Sequence, residues 1–147
     1  MMDITLDDMY KLNLDTKNWE IVEYEGKGPG KRRSHMMINH KDIEIILYGG
    51  FDGRNFLNDL WCFNLDKKLW RTIEFKNSIG KPIGRRYFSY SRMDDGIYIF
   101  GGMAENKKDP EGKLNGDFYL LCDGSEKFLF FENLKHSFDH FNDVIFN

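Results

Sequence analysis

Apolar residues along the chain come in short runs closed by polar or glycine-rich turns, and these runs predict strands. Residues 7–14 alternate loosely and carry Met9, Leu12 and Leu14; after the polar turn Asp15-Thr16-Lys17-Asn18, the run Trp19-Glu20-Ile21-Val22-Glu23-Tyr24 forms their antiparallel partner. Residues 25–31, with Gly26, Gly28, Pro29 and Gly30, make a loop. Four strands are expected near 34–39, 43–48, 58–65 and 69–75, with polar turns at Asn39-His40-Lys41-Asp42 and Asp66-Lys67-Lys68. Four more are expected near 86–92, 97–100, 117–122 and 127–132, with a hairpin turn at Asp94-Asp95-Gly96. Between the second and third of these lies a longer loop, 103–116, with Lys107-Lys108-Asp109-Pro110-Glu111 at its tip. The tail 133–147 admits two readings. Leu134, Phe138, Phe141 and Ile145 are spaced for one face of a helix, whereas His136-Ser137 and Val144-Ile145-Phe146 fit two strands, which the rhythm of the preceding runs favours.

The runs repeat. Arg32-Arg33-Ser34-His35-Met36 leads to Ile43-Glu44-Ile45-Ile46-Leu47-Tyr48, closed by Gly49-Gly50, then to Asn58-Asp59-Leu60-Trp61 and to Trp70. About fifty residues on, Arg85-Arg86-Tyr87-Phe88-Ser89 leads to Ile97-Tyr98-Ile99-Phe100-Gly101-Gly102 and then to Asn115-Gly116-Asp117-Phe118-Tyr119, with Lys127 or Phe128 where the Trp would stand. The N-terminus supplies only the second half of the unit, Asp7-Asp8-Met9-Tyr10 followed by Trp19. Self-similarity at this period means a repeat architecture. Paired glycines end a strand because residues without Cβ permit positive φ and close backbone approach.

The chain resembles the kelch repeats of β-propellers, whose marks are an Arg and a His-Ser-like pair opening a strand, an apolar strand ending in Gly-Gly, an Asn-Asp-aromatic strand, and a Trp. Trp19, Arg32, His35, Gly49, Gly50, Asp59, Trp70, Arg85, Gly101, Gly102 and Asp117 carry the likeness here. It implies an all-β fold of four-stranded antiparallel blades in a single partial domain: a half blade at 7–24, blades at 32–75 and 85–132, and at 133–147 a degenerate half blade or helical tail. That is an incomplete ring of about three blades, below the four to eight with which propellers close. The expectation is a part of a longer propeller, or a homodimer in which the starting strands of one copy complete the blade begun by the tail of the other.

Formal net charge is −3 and the pI about 5.8, so nucleic acid is not an expected partner. Cys62 and Cys122 fall in separate expected strands without Cys-x-x-Cys spacing, which suits a reduced, intracellular protein. No run approaches a membrane span, and Met1-Met2-Asp3 lacks signal-peptide character. Cytoplasm is the expected location, with the nucleus second. His136 and His140 lack zinc-site spacing, and no P-loop, nucleophile elbow or Ser-His-Asp grouping is visible. No catalytic residue, metal or cofactor is expected.

Strands of a blade alternate in direction, so blade-to-blade loops and the loops joining second to third strands share one end. The blade-to-blade loops carry Lys27, Lys31, Arg32, Arg33, Lys76, Lys81, Arg85 and Arg86, a basic rim suited to an acidic protein partner. Arg32 and Arg85 also read as structural donors from one blade to its neighbour. Beside them, Phe51-Asp52-Gly53-Arg54-Asn55-Phe56 has recognition-loop composition, or is a turn set by Asp52-Gly53. The candidate binding residues are Arg33, Asp52, Arg54, Asn55, Lys81, Arg86, Lys107 and Lys108. Trp19, Trp61 and Trp70 read as packing residues. The resemblance implies a non-catalytic interaction module, such as a scaffold or ubiquitin-ligase adaptor. Its rivals are a fragment without independent activity and an enzyme like the copper radical oxidases or sugar mutarotases. For the enzyme, the axial positions Met36, Ile38, Ser89 and Ser91 offer no convergent polar set.

Overall fold

A computed structural model describes residues 5–74, 81–106, 109–122 and 127–131, and all regular structure among them is β. The N-terminal unit has two short antiparallel strands, β1 (Tyr10–Leu12) and β2 (Trp19–Ile21), in register Tyr10↔Ile21 and Leu12↔Trp19. Asn13 Oδ1 accepts from the backbone N–H groups of Asp15 and Thr16 at 2.9 and 3.0 Å, which turns the chain between them. The central blade is β3 (Met36–His40), β4 (Glu44–Tyr48), β5 (Leu60–Asn64) and β6 (Leu69–Thr72), a four-stranded meander in chain order. After β7 (Arg85–Arg86) comes a second four-stranded blade. It is built from β8 (Ser89–Met93), β9 (Gly96–Phe100), β12 (Phe118–Cys122) and β13 (Lys127–Phe131).

The span expected to be a long loop, 103–116, is instead a hairpin of β10 (Met103–Asn106) and β11 (Asp109–Leu114). The cause is an open edge. Arg85 and Arg86 form a short extended segment outside either blade, and β10 pairs with it in register Met103↔Arg86 and Ala104↔Arg85. β11, β10 and β7 thus form a three-stranded sheet of their own.

The core lies between the two complete blades. Register aligns Met36, Tyr48 and Leu60 in one row across the central blade, and Ile38, Ile46 and Cys62 in the next. These rows pack against Phe88, Ile97, Ile99, Tyr119 and Leu121 of the following blade. Each such large side chain contributes about 1.5–3 kcal/mol on full burial. The opposite face of the central blade carries Leu47, Trp61, Phe63 and Trp70. Tyr24 meets it edge-on, with ring centroids 6.4 Å from Phe63 and 6.3 Å from Trp70.

Trp19 departs from the expected packing role: it is 67 % exposed. The first two strands of its blade, against which it would pack, are absent from the described residues, and every residue of β1 and β2 is exposed. The described sheets do not close a ring. Lys76, Lys107, Lys108 and the tail 133–147 lie outside the described residues.

Candidate functional site

The repeated Arg pair divides its labour by position. Arg32, the first of its pair, is buried and donates to both carboxylate oxygens of Asp59 at 2.8 Å and to the Gly49 carbonyl at 3.0 Å, with Pro29 O as a further acceptor. Asp59 also accepts from Trp61 Nε1 at 2.6 Å. Burial disfavours the Asp59 charge, but the Arg32 and Trp61 donors outweigh it and hold the carboxyl below its usual range. Arg85 does the same one blade on. It donates to Gly101 O at 2.9 Å and to Asp117 Oδ2 at 3.3 Å, and its guanidinium lies 4.7 Å from the Tyr119 ring centroid. Both arginines therefore tie the second and third strands of their own blade together. Arg85 also serves the neighbouring central blade, its backbone N–H donating to Leu57 O at 3.1 Å and its side chain hydrogen-bonding to Tyr48, and both arginines are withdrawn from the rim.

The second Arg of each pair emerges at the loop end. The backbone turns sharply after it, with φ of 56° at Ser34 and 57° at Tyr87, an uncommon region for residues other than glycine. Gly50 and Gly102 let the Arg segments approach. A Cβ on Gly50 would lie 2.8 Å from Arg33 O, and one on Gly102 2.7 Å from Arg86 O. Arg33 and Phe51 exchange backbone hydrogen bonds, each 3.0 Å.

Four sequence-singled residues meet here. The Arg86 guanidinium lies 4.5 Å from the Phe51 ring centroid, 5.1 Å from Phe56 and 5.1 Å from Tyr87, while that of Arg33 lies 5.4 Å from Phe51. Phe51 and Phe56 meet edge-to-face at 5.3 Å. Two cations thus share one aromatic ring, an arrangement favoured by the ring quadrupole. Arg86 Nη2 reaches Met103 Sδ at 3.4 Å, and its Nε is buried without an acceptor. The hairpin closes over the cluster: a Cβ on Gly112 would lie 2.5 Å from Phe56 Cζ.

Asp52 serves its own turn. Its carboxylate accepts from the backbone N–H of Arg54 and of Asn55, each at 2.7 Å, and from Asn55 Nδ2 at 3.1 Å. Slight burial works against the charge, but the Asn55 and Arg54 donors, with the nearby Lys31 charge, keep it below the ordinary carboxylate range. Arg54 and Asn55 are exposed at the tip, and Lys81 is exposed in the segment before Pro82. Tyr87 and Met103 join the cluster unforeseen. Tyr87 had one available signal, its place directly after the repeated Arg pair; Met103 had none, since a hairpin edge brings it there.

Among the described residues no group of three His, Cys, Asp or Glu is placed to hold a metal ion, and no helix is long and apolar enough to cross a membrane. Cys62 is a buried free thiol whose pKa burial pushes up to about 11; Cys122 is also free.

The family of KLHDC2/KLHL20/DRC7 kelch-repeats domains matches residues 2–123. The leucine-zipper-like transcriptional regulator 1 homolog of Drosophila melanogaster is 28 % identical over 105 residues, covering 67 % of this chain and 11 % of that protein. The flagellar outer-arm dynein alpha chain of Chlamydomonas reinhardtii is 27 % identical over 90 % of this chain and 3 % of its own length. The host cell factor homolog hcf-1 of Caenorhabditis elegans is 32 % identical over 66 % of this chain and 13 % of its own. The chain therefore spans a small part of each of these relatives. With the Arg–Asp ties, the Gly-Gly strand ends and the four-stranded blades repeated in space, the chain belongs to the kelch-repeat family.

Proposed function

We propose that this kelch segment is a non-catalytic protein-interaction module that docks an acidic stretch of a partner on its loop end, through Arg33 and Arg86. The observation that carries this reading is the sharing of Phe51 by two guanidinium groups. A guanidinium held against an aromatic ring keeps its positive charge, and a carboxylate is the partner that suits a guanidinium. Lys31, Arg54, Lys81 and Lys113 are exposed in neighbouring loop-end segments, so the local charge is basic on a chain of net charge −3 and would steer an acidic ligand to this end. Kelch domains are in general protein-binding, and the relatives named above are large proteins of which such repeats form a part.

A labelled deca-glutamate peptide titrated by fluorescence anisotropy tests the reading. Binding is expected to weaken as salt rises and the Debye length shrinks from about 10 Å toward about 3 Å. It is expected to vanish in the Arg33→Glu, Lys81→Glu, Arg86→Glu triple variant, with far-UV circular dichroism unchanged. Equal binding by the variant at low and high salt would sink it.

A further inference from the structure

The β10–β11 hairpin extends the loop-end cluster beyond its two arginines. Residues directly opposite one another in an antiparallel pair share a face of the sheet, and the register sets Arg86 opposite Met103 and Met103 opposite Leu114. Arg86, Met103 and Leu114 therefore form one row across β7, β10 and β11. Arg85 and Ala104, 0 % and 2 % exposed, belong to the row on the other face. Gly112 precedes Leu114 by two residues in β11 and so lies on its face. A Cβ on Gly112 would stand 2.5 Å from Phe56 Cζ and 3.0 Å from Met103 Cγ. Phe56 thus lies against this same face, where the Arg86 guanidinium is 5.1 Å from its ring centroid. A leucine exposed by itself needs no explanation. Leu114, 77 % exposed, is instead the outer end of a row that begins at a cation and passes through a thioether.

The row sets both the chemistry and the spacing of what it fits. Adjacent strands lie about 4.8 Å apart, which puts Leu114 about 10 Å across the sheet from Arg86, and an extended peptide rising about 3.3 Å per residue covers that distance in about three residues. From this row we infer that the partner segment is acidic and then aliphatic. It sets a carboxylate side chain at Arg86 and Arg33, and three or four residues further on an aliphatic side chain against Met103 and Leu114. The inference rests on the acidic-partner reading above and names the neighbour that its acidic residue must have. Carboxylates are common on protein surfaces; an aliphatic residue at a fixed distance from one is rarer and gives the site a means of discrimination. Tyr87, 63 % exposed, is the rival apolar contact. Its ring centroid is only 5.1 Å from the Arg86 guanidinium, too near to meet a side chain three residues beyond the carboxylate.

Two labelled decapeptides test this on the full 147-residue chain by fluorescence anisotropy: Glu-Glu-Glu-Glu-Ser-Ser-Leu-Leu-Ser-Ser, and the same peptide with both leucines replaced by serine. The leucine peptide is expected to bind about tenfold more tightly, and both are expected to weaken as salt rises. Leu114→Ser alters an exposed side chain and is expected to remove the gain, so that the two peptides bind alike, with far-UV circular dichroism unchanged. Tyr87→Ser is expected to keep the gain. Arg33→Glu with Arg86→Glu is expected to lose both peptides. Equal binding of the two peptides by the unaltered chain overturns this inference and leaves the acidic-partner reading standing, as does a gain that survives Leu114→Ser. A leucine peptide held equally well by the double arginine variant also overturns it, because the apolar contact would then act without the rim. Binding of neither peptide overturns both readings.

Discussion

Arg85 is fully buried, and Arg32 nearly so. Each is tolerable inside a strand-rich core only because a carboxylate and a carbonyl meet its donors, and removing one partner leaves an uncompensated charge. Asp59→Asn is therefore expected to destabilise the chain by about 1–3 kcal/mol in urea melts, because Arg32 stays behind. Asp59 is held below its unfolded value of 3.8. Its contribution is present above that value and is lost as pH falls through the lower folded one. His35 is depressed too, from 6.5. The unfolded chain therefore binds its proton first, and stability falls as pH drops below about 6.5 toward the folded value. Thermal midpoints measured between pH 7.5 and 5 should show this decline, with a shallower slope in His35→Gln. Identical slopes would mean that His35 titrates alike in both states.

At the scale of elements, the paired glycines end strands where another backbone passes. Gly50 has φ +98° and Gly102 +89°, and each faces an Arg carbonyl closer than any Cβ permits. Gly50→Ala is expected to cost about 1–3 kcal/mol, whereas an exposed glycine of ordinary φ, Gly116, has nothing within 4 Å and should tolerate Ala. The tryptophans separate in the same way. Trp70 packs 4.9 Å from Phe63 and 6.5 Å from Trp61 by ring centroids, so Trp70→Ala should cost about 3–5 kcal/mol. Trp19, 67 % exposed, should change stability by no more than about 0.5 kcal/mol when cut to Ala. Equal losses in denaturant melts would show that the two occupy equivalent environments after all.

For the whole molecule, two blades packed face to face make a core, but apolar side chains remain on the outer surfaces. Trp19, Ile21 and Leu14 are 67 %, 57 % and 71 % exposed at the N-terminal unit, and Phe100 is 46 % exposed on the last blade, where it packs beside Phe118. Exposed apolar patches and short unpaired strands promote association. Light scattering from about 10 to 200 μM is expected to show a mass that grows with concentration, and Trp19→Ser with Phe100→Ser should reduce that growth. A mass constant at 17.5 kDa across the range would contradict it.

The all-β class and the four-stranded antiparallel sheets were legible in the sequence because each is written locally. Period-two apolar runs, glycine pairs and polar turns act within a few residues, and repetition about fifty residues apart confirms them against one another. The candidate residues were legible only as types. That Arg32 and Arg85 turn inward while Arg33 and Arg86 reach Phe51 depends on a turn of positive φ between alternating side chains, which identical neighbouring arginines do not reveal. The 103–116 hairpin needed the open edge of β7, a partner some twenty residues away that no local pattern announces. The exposure of Trp19 follows from which of the described strands cover a face, a property of the packed sheets and not of any one run of residues.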